Sequence, residues 1–474
     1  VSSLAPSRSR PRPRPFAVLM PPRGGDVQQR RASRPRLLAV LFFAVYAALS
    51  VTKHLQLRST GYDLGIFEQA IRAYAQLRAP VSELKGAGYH LLGDHFHPIL
   101  ATLAPLYRLF PTPLTLLTAQ AALIALSVIP VTRLAIRTTT PRLGTAIGIA
   151  YGLSWGLQKA IAFDFHEIAF AVPLLAFCLE RLAVRHRRAA ALWALPLVLV
   201  KEDLPLTVTA IGLYILLCGR RRVGTAVVAY GVLSGLLIVL VVIPAFNPDG
   251  QYAYLHTATE AAGNPLTRLL LPPQKLGTLI VLLAPTVFLA LRSPLVLLAL
   301  PTVAWRFWST NPAYWGLDYH YSAVLMPIVF LAFADALGRL NRRPRLVTRA
   351  VAASVAGSVL ALPFLPLRDL AGPAWRPSPW SGAAREVMAA VPDGAEIGAV
   401  NYLAPQLTSR ARVYRFPQVL DSGTAPEWLL ISDPARGGMP GFAEELPRLP
   451  EIPSRGYRLV IERSGIQLYR LADR

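Results

Sequence analysis

From residue 37 to residue 367 the chain alternates between apolar runs and short loops in which arginine gathers. Several of these runs approach the ~20 residues that cross a ~30 Å hydrocarbon core as a helix. A helix apolar on every face has no side to give to water, so few soluble folds remain open. Charged residues are only 16% of the chain and hydrophobic residues 53%, against roughly 25% charge in soluble domains. The sequence therefore predicts an all-α polytopic membrane protein whose first partner is the lipid bilayer.

A net charge of +23 would also suit a nucleic-acid binder. The arginines, however, sit in loops between apolar runs, the distribution that sets membrane topology, and no basic face with base-contacting groups is visible. No nucleic acid is expected as a partner. Only five of the 49 basic residues are lysines (Lys53, Lys85, Lys159, Lys201 and Lys275), all expected near the arginine-poor ends of the spans. Cys178 and Cys218 lie in separate apolar runs and imply neither a disulfide framework nor a thiolate metal site.

Residues 1–36 hold nine arginines, many prolines and one acid, and are expected to form a disordered cytoplasmic tail. Residues 37–369 read as the transmembrane domain. About eleven spans are predicted, at 37–54, 113–135, 143–163, 168–185, a short pair within 189–219, 223–244, 275–292, 294–308, 321–338 and 350–367. One orientation places nearly every arginine-rich loop on the same side, with the N-terminus cytoplasmic and the C-terminus outside the plasma membrane. Residues 370–474 contain no spanning run and predict a small α/β extracytoplasmic domain. Its strands are expected at 395–400, 428–432, 457–462 and 465–469, and its helices at 381–391 and 442–449.

That topology sorts the titratable groups. Seven of the eight histidines and eleven of the thirteen acids between residues 37 and 367 fall on the outer side, only His186 remaining among the arginines. Ionisable groups at membrane depth are costly and tend to mark sites. Asp63 and Glu68 lie in a segment, 62–77, whose apolar residues Leu64, Phe67, Ile71 and Tyr74 predict an amphipathic interfacial helix. Asp63 is read either as the N-cap of that helix or as a base or metal ligand.

His95 and His97 follow Asp94, and Asp164, His166 and Glu167 form a second group. Asp63, His95, His97 and His166 are candidate ligands of a divalent metal ion, a structural polar network being equally open. Lys201, Glu202 and Asp203 stand together between two apolar limbs, where an ordinary turn would favour Gly, Asn or Pro. Arg306 sits in an aromatic belt (Trp305, Phe307, Trp308, Tyr314, Trp315), and His320 follows closely.

The ordered set Tyr62-Asp63-Leu64-Gly65-Ile66-Phe67-Glu68-Gln69, Gly93-Asp94-His95-Phe96-His97-Pro98, Asp164-Phe165-His166-Glu167, Lys201-Glu202-Asp203-Leu204 and Tyr319-His320-Tyr321-Ser322-Ala323 resembles a family of multi-pass prokaryotic membrane proteins known only as a domain of unknown function. The resemblance covers roughly residues 60–470. That family looks distantly similar to the C-type glycosyltransferases, which take sugars from polyprenyl-phosphate donors and carry an essential acid in the first outer loop. Asp63 matches that position, although this chain has one acid there and not a pair.

The resemblance implies sugar transfer at the outer face of the plasma membrane. Asp63 would act as the base. Glu202, Asp203 and His166 would place the acceptor or hold a divalent ion, and Lys201, Lys159 or Arg306 would meet the departing lipid phosphate. Glu68, His95, His97, Asp164, Glu167 and His320 complete the expected substrate-binding set. The alternative is a transporter or lipid-handling protein without covalent chemistry, suggested by the prolines inside several spans.

Overall fold

The computed structural model describes residues 25–254 and 264–472. Most of the expected tail (residues 1–24), and His256 and Glu260 of the expected outer loop, lie outside the described residues. The first helix, Gly25–Leu55, already begins within the arginine-rich segment.

Helical segments occupy every expected span, but they are more broken than the runs suggested. Among the described residues four helices are long and apolar enough to cross a membrane alone: Ser33–Leu55, Pro113–Thr138, Arg221–Phe246 and Pro344–Phe364. The limb before Lys201 is only an eight-residue helix, Arg187–Ala194, continued by a 3-10 turn at Leu195–Leu199. Pro196 removes a donor there, so the limb is short for a span, as expected. The run expected to span at 275–292 stops as an α-helix at Leu283. Pro285 interrupts it, Val287 and Phe288 turn left-handed (φ 50° and 58°), and two 3-10 turns flank them.

The helix Leu325–Arg339 forms the centre of the bundle. It is buried on all faces from Leu325 to Ala334, against Val128–Thr138, Ile168–Ala183 and the turns at 289–299. Small residues let its neighbours close up. A Cβ at Gly144 would lie 2.3 Å from the backbone nitrogen of Ile136, and one at Gly152 would lie 2.2 Å from the Phe42 ring. The Tyr46 hydroxyl then reaches the Gly152 carbonyl at 2.5 Å.

The C-terminal domain is a five-stranded sheet in the order β2-β1-β3-β5-β4. The strands are β1 (Glu396–Ala399), β2 (Arg412–Arg415), β3 (Trp428–Ser432), β4 (Tyr457–Arg463) and β5 (Ile466–Leu471). β2, β1 and β3 run parallel, and β5 and β4 complete the sheet antiparallel. The four expected strands are present; β2 was not anticipated, being only four residues long between arginines. The helix Ser381–Ala389 is present as expected. The one expected at 442–449 is instead a 3-10 stretch, Leu446–Glu451, because Pro447 and Pro450 deny it the α hydrogen-bond ladder.

One core cluster joins this domain to the loop after the first helix. Leu57, Ile66, Ala70, Leu84 and Leu91 pack with Val387, Leu403, Leu407 and Val413. The loop helix, Ile66–Ala75, carries an apolar stripe as expected. It is nevertheless buried on two faces, Leu64, Phe67 and Ile71 meeting Leu100, Leu116 and Phe165 on the other side. The C-terminal domain thus clamps the first loop against the bundle.

Candidate functional site

Asp63 stands in a π-turn, Gly61–Gly65, immediately before the loop helix. It caps neither element: Thr60 precedes the turn without a side-chain cap bond, and Gly65 precedes the helix. The N-cap reading is therefore replaced. Two glycines let the turn wedge between bundle and sheet domain, since a Cβ on Gly61 would lie 2.6 Å from Ala404 and one on Gly65 2.6 Å from Leu84. π-Turns of this kind recur at functional sites.

Asn401, at the C-terminal end of β1, holds the turn twice. Its carbonyl accepts from Gly61 N at 2.7 Å and its side-chain oxygen from Tyr62 N at 2.8 Å. The Arg415 guanidinium covers the Tyr62 ring at 4.5 Å. Sequence reading missed Asn401, although the end of a parallel strand is where such a residue is to be sought.

The turn delivers Asp63 Oδ1 to 3.2 Å from His166 Nε2. His166 is placed by its neighbour Asp164, which sits in the left-handed region (φ 61°) and is nearly fully buried. Asp164 accepts from Lys53 Nζ at 2.8 Å and from Thr60 N and Oγ1 at 2.8 and 3.0 Å. One carboxylate therefore fixes both the entry to the Asp63 turn and the exit toward His166. Asp164 was expected to touch substrate; the structure spends its oxygens on positioning. Gln120, not anticipated, accepts from His166 N at 2.9 Å.

His320 stacks on His166 with ring centroids 3.7 Å apart, and Phe163 stacks beside both at 5.6 and 5.2 Å. Arg306 is fully buried and donates to the carbonyls of Tyr314 (2.6 Å), Gly316 (3.2 Å) and Tyr321 (3.3 Å) and to Ser322 Oγ (3.2 Å). The expected phosphate clamp is thus a brace for the loop carrying His320, its donors taken up by backbone.

Lys201 pairs with Glu167 at 2.9 Å. Glu202 accepts from Phe96 N at 3.1 Å and Tyr252 OH at 3.1 Å, and its Oε1 lies 2.6 Å from His95 Nδ1. Burial alone would raise the Glu202 pKa, but the adjacent His95 and Lys201 pull it down to about 2. Glu167 is likewise driven up by burial and brought down to about 2 by Lys201 and the histidines. Asp203 goes the other way, burial lifting it to about 6 against the opposing pull of Lys201. Lys159 pairs with Asp318 at 2.7 Å, two residues before His320 in the chain. Glu68 is fully buried between Tyr107 OH (2.7 Å) and Thr408 Oγ1 of the sheet domain, a junction and not a substrate contact.

The metal candidates do not assemble. Asp63 and His166 meet, His95 is committed to Glu202, and His97 is buried edge-on to Phe67 at 5.7 Å. Among the described residues no three His, Cys, Asp or Glu groups are placed to hold a metal ion. The residues therefore do not fit a divalent ion.

Buried polar atoms without a partner are rare and call for an explanation. Here they include His97 Nδ1, His166 Nδ1, His320 Nδ1, Glu167 Oε2 and Asp203 Oδ1, all on the groups singled out from the sequence. Phe67 touches both His97 and His166, and Glu167 feels His95, His97 and His166 as near charges, so the groups form one neighbourhood.

No curated protein matches the chain by sequence. Among solved structures, ArnT from Cupriavidus metallidurans bound to undecaprenyl phosphate is similar in fold, with a TM-score of 0.53 at 14% identity over 91% of this chain and 97% of that one. The apo state of the same protein gives a TM-score of 0.48 at 14% identity, again over 91% and 97%. ArnT is a GT-C glycosyltransferase, and at this identity the likeness is one of fold. Residues 53–468 match the family described as "Predicted membrane protein (DUF2079)", and the chain belongs to that family.

Proposed function

We propose that this protein is a glycosyltransferase moving a sugar from a polyprenyl-phosphate donor to an acceptor hydroxyl at the outer face of the plasma membrane. The N-terminus is cytoplasmic and the sheet domain extracytoplasmic. The observation that carries the reading is the Asp63–His166 pair at 3.2 Å, held in the first loop of a fold shared with ArnT.

Asp63 accepts the acceptor's hydroxyl proton as that oxygen attacks the anomeric carbon. The bond from that carbon to the phosphate oxygen breaks, its electron pair leaving with the lipid phosphate, and the sugar inverts. His166 neighbours the Asp63 carboxylate at 3.2 Å and orients it for the attack. Lys201 turns from Glu167 toward the leaving phosphate, where negative charge grows. Asp203, whose pKa burial lifts to about 6 and whose buried Oδ1 has no partner, is our candidate to return a proton to that phosphate.

The test is transfer in proteoliposomes from radiolabelled polyprenyl-phosphate sugars. Asp63→Asn should abolish transfer and leave the melting temperature unchanged; full activity in that variant would refute the assignment. The non-covalent reading draws on the broken helix at Val287 and Phe288, since discontinuous helices are common in transporters. Flux of the lipid across vesicles without turnover would favour it.

A further inference from the structure

The loops 185–189 and 219–223 face each other across a cleft of about 800 Å³. They lie a helix length from Lys201 and Asp203, since the fourteen residues Leu204–Leu217 separate the two turns by ~21 Å. Six arginines and His186 line the cleft, whose volume is in the range of ligand pockets. Among the described residues no acid lines it, and Arg187, Arg188, Arg220, Arg221 and Arg222 form no ion pair.

The contrast with neighbouring arginines is informative. Arg133, Arg137 and Arg181 converge on the buried Glu180, and Arg339 pairs with Asp335 at 3.0 Å. All six arginines except Arg187 are solvent-exposed, and with no carboxylate in the lining their like charges at close range favour an incoming anion. Two helices, Arg187–Ala194 and Arg221–Leu237, also begin at the cleft with no side chain capping their first N–H groups. Their N-termini reinforce the preference for an anion.

The helix surfaces next to the cleft, outside its lining, say what kind of anion. Leu217 precedes Gly219 by two residues and is 83% exposed; Leu213 one turn earlier is 48% exposed, and Leu192 on the facing helix 68%. A soluble polyanion has no use for an apolar flank, whereas acyl chains do. Basic pockets between spanning helices are where phosphate headgroups of lipids lodge. We infer that this cleft binds the phosphate of an anionic phospholipid, its acyl chains lying along Leu192, Leu213 and Leu217.

The inference is independent of the transfer reaction. The test uses the full chain, delipidated in detergent and titrated with dioleoyl phosphatidylglycerol or dioleoyl phosphatidylcholine by native mass spectrometry, and with tripolyphosphate by calorimetry. Phosphatidylglycerol should bind about tenfold more tightly than phosphatidylcholine. The combined variant Arg187→Gln, Arg188→Gln, Arg221→Gln, Arg222→Gln should lose that preference. Arg342→Gln with Arg343→Gln, at the same end but outside the cleft, should keep it.

Equal binding of the two lipids by the wild type, or equal loss in the control, overturns the proposal. Tight tripolyphosphate binding without lipid preference assigns the cleft to a soluble anion and overturns it as well. Should the glutamine set fail to insert, lysine at the same four positions keeps the topology-setting charge but loses the bidentate fork. That set should cut the preference about threefold, and an undiminished preference would count against the site.

Discussion

The two ends of the bundle treat buried acids in opposite ways. At the arginine end, Glu180 is saturated by Arg133, Arg137 and Arg181, and Asp335 by Ser293 and Arg339. Both oxygens of Glu180 and Oδ2 of Asp335 are taken up in bracing the helices. At the other end, carboxylates are shared with imidazoles and lysines, and Glu167 Oε2, Asp203 Oδ1 and the Nδ1 atoms of His90, His97, His166 and His320 are left without partners. A saturated acid braces a structure, whereas an unsaturated one stores the capacity to meet a ligand. The proposed site rests on that difference more than on a count of acids.

Substitutions at four positions break or sharpen that contrast. The largest effect belongs to Asp63→Asn, expected to cost at least ~10³-fold in turnover, about 4 kcal/mol, with an unchanged melting temperature. Glu180→Ala should do the reverse. It leaves three arginines without their acid and destabilises by about 2 kcal/mol, moderated by the exposure of Arg133 and Arg137. A thermal melt and a transfer assay run side by side separate the two outcomes.

Asn401→Ala removes the side-chain acceptor for Tyr62 N but keeps the backbone bond to Gly61. Turnover should fall about tenfold with KM little changed, and Asn401→Asp, which keeps an acceptor oxygen, should recover most of it. A matching fall in melting temperature without a change in turnover would make Asn401 merely structural.

Glu68 gives the smallest effect and a pH signature. Burial raises its pKa to about 7, against the hydrogen bonds of Thr408 and Tyr107, from an ordinary 4.5. The folded chain therefore keeps a proton that the unfolded chain gives up. The stabilisation is complete below about pH 4.5, falls as pH rises toward 7 and is flat above. Glu68→Gln should flatten the melting temperature between pH 5 and 8, and an unaltered slope would place the titration elsewhere.

Much of this arrangement was legible in the sequence because it follows from one-dimensional patterns. Apolar run length gave the helical segments, arginine placement separated the two ends, and four short motifs supplied Asp63, His166, Lys201, Glu202 and His320. Roles within the site were less accessible, since they depend on which oxygen points where. Asp164 and Arg306 read as substrate ligands by residue type, yet both are consumed in holding backbone. Asn401 and Thr408 lie more than 330 residues from the segments they grip, and no local spacing announces a contact of that range. The breaks at Pro196 and Pro285 were visible as prolines, while their effect on helix continuity needed the packing around them.

The most direct test of the central claim is a structure of the full chain with undecaprenyl phosphate bound. The account predicts the phosphate within hydrogen-bond reach, about 3 Å, of Lys201 Nζ, on the side of the bundle where Asp63 meets His166. A phosphate lodged only among the arginines of the opposite end would contradict it.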